Sequence, residues 1–363
     1  MIIVSTKELT IRKFLIYLIR SLIKLNIDIV IISKDSLKLE KLFSLEEKKY
    51  INLIDFNFPI TISQIVNPFI FFKTLYKLRL IIDNFPKHSI YIHTPIAAHL
   101  IRLSCFFIKR KIIYHVHGFR FHKLGNKLSN LFYFIIEYIL KFKVYKYITI
   151  NKYDYDVVNN YFKIKNTLIP GVGINIDYLK NIKTNFKIKD NKLKVLVVGA
   201  YKKEKGYHQI ISLANSYKIN NKILIDCYGY GNYESFNNKI KFNRNVEINF
   251  NNFADNILDK IINYNCILIP SKREGLSVII MESMAIGIPI ITTNARGCSD
   301  LIQNKINGSL YKYNSVNDLI LILNDMMKNY DFYLNMTKKA KIHCNENYEI
   351  KKVTNRIIEN IIN

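Results

Sequence analysis

The residues best able to do chemistry fall in three short runs. The stretch SKREGLSVIIMESMAIGIPI (271–290) carries Glu274 and Glu282, two carboxylates inside an otherwise apolar segment of a basic chain. Carboxylates accept hydrogen bonds from hydroxyls, so such a pair suits a polyhydroxylated ligand. Directly after Glu274, Gly275 allows close backbone approach, and the amides of Gly275, Leu276 and Ser277 can point at a phosphate where a helix begins near Ser277. A structural reading fits too, with Glu274 a helix-start charge and Glu282 an exposed helix residue. In VVGAYKKEKGYHQII (197–211), Gly199 opens a turn, and Lys202, Lys203 and Lys205 crowd the next helix start with positive charge. A solvated lysine turn is the alternative there. Neither a dinucleotide fingerprint nor a P-loop is present.

The third run, IIYHVHGFRFHK (112–123), sets His115 and His117 two apart on a strand that ends at Gly118. Side chains at that spacing share a face and could ligate a metal. No third ligand at a metal-site spacing is evident, so no metal is expected. His117 is assigned to the strand's C-terminal end, His115 to the core or a supporting position, and His93, ending SIYIH, to packing.

These groups need elements to hold them. Apolar β-rich runs at 2–5, 27–33, 89–93, 111–116 and 147–151 alternate with helical patterns at 8–26, 70–84 and 127–145. The basic, aperiodic segment KNIKTNFKIKDNK (180–192) reads as a linker. The alternation then restarts, with strands at 193–200, 223–229, 246–250, 266–271 and 288–294 and helices at 206–217, 255–264 and 277–285. Residues 331–363 are helical. Two such series predict an α/β protein of two doubly wound domains facing a cleft, with Glu274 at a strand's C-terminal end, where such sheets bind ligands.

The 363 residues suffice for two cores, and 49% hydrophobic with 23% charged residues is a globular composition. The net charge of +26 attracts nucleic acid, anionic membranes or phosphorylated small molecules alike, so only its local clusters are informative. Five scattered cysteines with no C-x-x-C pair argue against a disulfide framework or zinc finger and for a reducing compartment. The start MIIVSTKELT reads as a strand rather than a signal peptide, and no apolar run is long enough to span a bilayer. The basic, aromatic stretch 119–147 allows three readings: a lipid-facing surface, a nucleic-acid surface, or a core helix with lysines reaching outward. The core reading is expected for most of its Phe and Ile positions, and the lipid reading for its outward basic residues.

In order along nearly the whole chain, HTP (93–95), HVHGFRFHK (115–123), ITINKYDYD (148–156), LIPGVGINIDYL (168–179), VGAYKKEKG (198–206), CYGYG (227–231) and PSKREGLSVIIMESMAIGIPIITTNARGCSDLI (270–302) resemble the family 4 glycosyltransferases of the GT-B fold, which make bacterial surface polysaccharides. The resemblance implies Rossmann-like domains over 1–175, for the acceptor, and 176–345, for the nucleotide sugar, with 346–363 returning as a helix to the first. It implies that Glu274, with the amides of Gly275, Leu276 and Ser277, holds the donor sugar and its diphosphate, and that Glu282 binds the ribose. Lys205 would neutralise the leaving diphosphate, and His117 would reach the transferred sugar. Catalysis is then retaining and metal-independent, with a nucleotide sugar, usually UDP-linked, as co-substrate and no cofactor. The expected acceptor is an undecaprenyl-diphosphate-linked saccharide of capsule, O-antigen or exopolysaccharide synthesis. The protein would work in the cytoplasm, peripheral on the inner face of the membrane and touching anionic lipid, with no nucleic-acid partner. Two positions depart from the family pattern: Ala200 stands where many relatives carry arginine, so that Lys202 or Lys203 would substitute, and STKELT (5–10) lacks the usual glycines. A glycosyltransferase-like partner subunit that binds sugar nucleotide is the alternative, followed by a sugar-nucleotide epimerase.

Overall fold

The computed structural model describes residues 1–182, 187–188, 190–216, 218–241 and 243–362. It forms two compact units, Met1–Gly173 with Ile350–Asn363, and Ile174–Glu349. Part of the segment expected as a linker, residues 183–186 and 189, lies outside the described residues.

The first unit is built on seven parallel strands: β1 (Ile2–Lys7), β2 (Ile29–Lys34), β3 (Ile51–Asp55), β4 (Ile90–Ile92), β5 (Ile112–Val116), β6 (Lys146–Thr149) and β7 (Asn166–Leu168), ordered β3-β2-β1-β4-β5-β6-β7. Its central strands are continuous apolar runs because helices cover both faces. Ile2 and Val4 pack on one side with Leu78, Ile82, Ala97 and Ile101, while Ile3 packs on the other with Leu18, Ile19, Val353 and Ile357. The helix Ile350–Ile362 therefore completes the first unit's core, lying against the helix Ile16–Ile23. Asn360 ties it to the sheet, accepting hydrogen bonds from Lys146 Nζ at 2.5 Å and Thr167 Oγ1 at 2.8 Å.

The second unit repeats the plan with six parallel strands: β8 (Lys192–Val198), β9 (Lys222–Tyr228), β10 (Val246–Asn251), β11 (Cys266–Ile269), β12 (Ile290–Thr293) and β13 (Ser309–Tyr311), ordered β10-β9-β8-β11-β12-β13. Val195 and Val197 face the cluster holding Ile210 and Leu319, whereas Leu196 faces that of Met281 and Cys344. In each sheet the order reverses once, between β1 and β4 and between β8 and β11. Open α/β sheets bind ligands beyond the carboxyl ends of the strands flanking such a point.

The helix expected over 8–26 is two, Glu8–Phe14 and Ile16–Ile23. That over 331–363 is also two, Tyr330–Asn347 and Ile350–Ile362. The helix Lys127–Leu140 departs from the core expectation: it buries Glu137 and Leu140, yet exposes Leu128, Leu131, Phe132, Ile135 and Ile139. The helix Pro68–Asp83 likewise buries Leu78 and Ile82 and exposes Phe69, Phe72, Tyr76 and Leu80. Both exposed sets follow helical spacing, so each helix is apolar on two sides. No helix among the described residues is long and apolar enough to cross a membrane.

Candidate functional site

At the switch point of the second sheet, the loops after β8 and β11 are fastened together. Gly206 adopts φ 77°, and a Cβ there would lie 1.9 Å from the Pro270 carbonyl oxygen, so only glycine lets the two backbones meet. Around that contact, Gln209 Nε2 donates to the same carbonyl at 2.7 Å, the Lys272 amide donates to the Glu204 carbonyl at 2.8 Å, and the Tyr207 hydroxyl donates to the Gly199 carbonyl at 2.6 Å. A third loop, after β12, locks on from the far side. The Glu274 amide donates to the Arg296 carbonyl at 2.9 Å, and Arg296 Nε returns a bond to the Glu274 carbonyl at 3.3 Å. Gly297, at φ 78°, has Glu274 and Gly275 backbone atoms where a Cβ would go.

These fastenings bring Lys205 onto Glu274. Lys205 Nζ donates to Glu274 Oε1 at 2.6 Å, and Ser271 Oγ donates to the same oxygen at 2.6 Å. The side chains keep 32% and 15% of their exposure, so the pair is largely dry yet reachable. Burial works against the Lys205 ammonium, but the Glu274 carboxylate outweighs it and holds the lysine pKa above its ordinary value. Lys205 is thus a fixed cation. The helices Tyr207–Ala214 and Val278–Ile286 begin beside this pair, with N-caps Gly206 and Ser277 that make no side-chain capping bond. Neither helix has an acidic residue in its first turn, which leaves positive helix ends suited to an anion.

The other residues singled out in this unit spread around that core. Glu282 is half-buried in the second turn of the helix Val278–Ile286. Leu276 is half-buried in the loop beside Gly275, while the Ser277 amide donates to the Gly297 carbonyl at 3.4 Å. Gly199 passes beneath the lysine stem, its hypothetical Cβ 3.4 Å from Lys205 Cδ. Lys202 and Lys203 are exposed on the turn, and Ala200 is buried at 6% exposure. Sequence reasoning passed over Ser271 and Arg296. The signal available was that β11 and β12 are neighbouring parallel strands, whose following loops must touch.

His117 lies in the first unit, after the strand next to that sheet's switch point. His93 follows β4, His115 lies in β5, and His117 follows β5. One ring nitrogen of each lies within 4.8 Å of one from each of the others. This corrects the expectation that no third ligand accompanies His115 and His117: β4 and β5 pair with Ile92 beside Tyr114, and that register sets His93 next to the pair. His93 Nδ1 and His117 Nε2 are 3.0 Å apart, and the rings of His115 and His117 stack at 4.4 Å. Burial lowers the pKa of all three, that of His117 to about 4, so each is a neutral imidazole at pH 7.

The two doubly wound parallel sheets are those of the GT-B type of fold, and the structure of Anabaena HepE in complex with UDP and glucose shares this fold at TM-score 0.74, with 15% identity over 99% of this chain and 98% of that one. Residues 180–343 match the family described as glycosyl transferases group 1. An uncharacterized glycosyltransferase of Haemophilus influenzae is 34% identical over 23% of this chain and 24% of its own length. The N,N'-diacetylbacillosaminyl-diphospho-undecaprenol alpha-1,3-N-acetylgalactosaminyltransferase of Campylobacter jejuni is 24% identical over 64% of this chain and 67% of its own.

Proposed function

We propose that the protein is a retaining glycosyltransferase that moves a hexose or N-acetylhexosamine from a UDP-sugar to a lipid-diphosphate-linked saccharide in surface-polysaccharide synthesis. The observation that carries this reading is the Lys205–Glu274 contact of 2.6 Å at the second sheet's switch point, between two helix starts. Departure of a nucleoside diphosphate from an anomeric carbon builds negative charge on phosphate and positive charge on the sugar. Lys205 and the helix-start amides meet the first charge without a divalent ion, and the Glu274 carboxylate suits a donor-sugar hydroxyl. Lys202 or Lys203 adds the phosphate contact that Ala200 cannot make, Glu282 takes the ribose, and His117 meets the transferred sugar. Transfer runs on the front face, the leaving phosphate receiving the acceptor's proton. The HepE complex with UDP and the undecaprenol-linked acceptor in the Campylobacter relative's name support this choice of donor and acceptor class.

The purified chain, given a panel of UDP- and GDP-sugars with a lipid-diphosphate saccharide, is expected to transfer from one UDP-sugar and to lose the activity in Glu274→Ala. Donor binding without turnover on any acceptor would make it a partner subunit instead, and interconversion of free donor would make it an epimerase.

The same reading places the first unit on an anionic membrane, where the acceptor's lipid resides. Phe69, Phe72, Leu131 and Phe132 are at least half exposed on helices whose inner sides pack on one face of the sheet, and Lys73, Lys77, Lys127 and Lys141 accompany them. Aromatics at the interface and lysines against headgroups add apolar and charge attraction. Flotation is expected with phosphatidylcholine vesicles containing phosphatidylglycerol and not with phosphatidylcholine alone. Phe69→Ser with Phe72→Ser should weaken it about tenfold or more. Indifference to anionic lipid would remove the membrane from the proposal.

A further inference from the structure

The three histidines on β5 and at the ends of β4 and β5 are more than packing. We infer that His93, His115 and His117 form a binding site for one transition-metal ion of the zinc class. This goes beyond the transferase reading, whose carrying Lys205–Glu274 contact lies in the second unit and which shares only His117 with the site.

The spacing of 3.0 Å between His93 Nδ1 and His117 Nε2 is a hydrogen bond if one of them carries a proton, and close to the edge of a metal tetrahedron if neither does. Zinc–nitrogen bonds of about 2.0–2.1 Å place neighbouring ligand atoms roughly 3.4 Å apart. The widest separation in the cluster is at most 4.8 Å, so rotation of one ring closes the site. A further ring nitrogen, His115 Nε2, is buried with no hydrogen-bond partner. Such an orphan is costly in a protein interior, and a cation that takes up its lone pair relieves the cost. Around the cluster, the Tyr91 hydroxyl lies 2.6 Å from His115 Nδ1. If it accepts that N–H, it fixes the tautomer that turns the Nε2 lone pair inward, as outer partners of metal-bound histidines do.

The donor set also selects the ion. Three neutral imidazoles with no carboxylate suit zinc, copper, nickel or cobalt and not magnesium or calcium. His117 is half-buried while His93 and His115 are buried, so the ion has an entry side and a fourth position for water.

The test uses the full chain, without an affinity tag, stripped by chelator and titrated with Co2+. Saturation at one equivalent with an intense visible band of low-coordinate cobalt, displaced by Zn2+, is expected. His93→Phe and His115→Phe should each weaken binding at least tenfold, while His208→Ala, in the other unit, leaves it unchanged. A pale six-coordinate spectrum, or binding as tight as the wild type's in both phenylalanine variants, would overturn the site. Should those variants fail to fold by circular dichroism, the wild-type chain decides: the band with a zinc-dependent rise in Tm supports the site, and neither overturns it. UDP binding in the same preparations keeps the two proposals separate. A chain that binds the ion but no nucleotide sinks the transferase reading alone, and one that binds UDP but no ion sinks the metal site alone.

Discussion

Lys205→Ala is expected to lower the kcat of sugar transfer by about 10²–10³-fold, the loss typical of removing one preorganised group that meets developing charge. On the proposed reading the lysine is held for that task before any substrate arrives. Its ammonium rests on Glu274 at 2.6 Å, and Gly206 against Pro270 fixes the loop that carries it. The donor's diphosphate is already dianionic and gains further charge as the bond breaks, so the share of the effect owed to that added charge belongs in kcat and the rest in donor KM. Glu274→Ala should cost at least as much, because it removes the proposed sugar contact and leaves Lys205 and Ser271 without their shared acceptor. The double variant should lose far less than the product of the two single losses, since residues in direct contact are not independent. Steady-state rates for the four proteins test the cycle. Additive losses, or a Lys205→Ala enzyme of undiminished kcat, would remove the pair from the chemistry.

The second large effect is on stability. Glu137, with 4% of its side chain exposed, lies 2.8 Å from Arg102 Nη2 and 2.9 Å from His99 Nε2, while the Arg102 side chain is fully buried. Arg102 also donates from Nε to the Ala98 carbonyl at 2.9 Å and lies 5.1 Å over the Tyr114 ring. Burial alone would raise the Glu137 pKa, but Arg102 and His99 outweigh it and bring the value from 4.5 down to about 2. A depressed carboxyl contributes stability that is present above its unfolded value of 4.5 and is lost as pH falls toward 2. Glu137→Ala strands a buried guanidinium and should destabilise the first unit by about 3–5 kcal/mol. Arg102→Met with Glu137→Leu, which removes both charges and keeps the volume, should recover most of that loss. Urea midpoints at pH 7 and pH 3 check both statements: the wild type should weaken at the lower pH, and the paired variant should show less of that dependence. A Glu137→Ala protein of wild-type midpoint would refute the account.

How much of this was legible follows from where each residue sits. The central strands were readable because strands buried on both faces are unbroken apolar runs, as IIVS and CILI are. The three strands that went unread, β3, β7 and β13, are all sheet edges and only three to five residues long, so their sequences INLID, NTL and SLY carry no such run. The helix Pro95–Ser104 was missed although Thr94-Pro95 marks its start. Glu274 and Lys205 could be marked as candidates from glycines and strand ends, but their contact spans 69 positions and depends on sheet order. His93 was invisible as a third imidazole for the same reason. Its distance from His117 along the chain says nothing, and only the pairing of β4 with β5 brings the rings together. Exposed apolar stripes mislead in the opposite sense, since hydrophobicity alone does not say which side of Lys127–Leu140 meets the core.

The division of the chain has a consequence for its synthesis. The second unit is an uninterrupted stretch, Ile174–Glu349, so all of its chain exists once residue 349 has been joined. The first unit is begun earlier and completed later. Its N-terminal 173 residues wait for Val353, Ile357 and Ile361 to cover Leu18 and Ile19, and a Cβ at Gly173 would lie 2.7 Å from the Ile350 Cα, so the departing and returning strands of chain run side by side. On the ribosome the order of assembly is thus reversed relative to the order of translation, and the unit made first spends the interval with an apolar groove open to whatever chaperone reaches it.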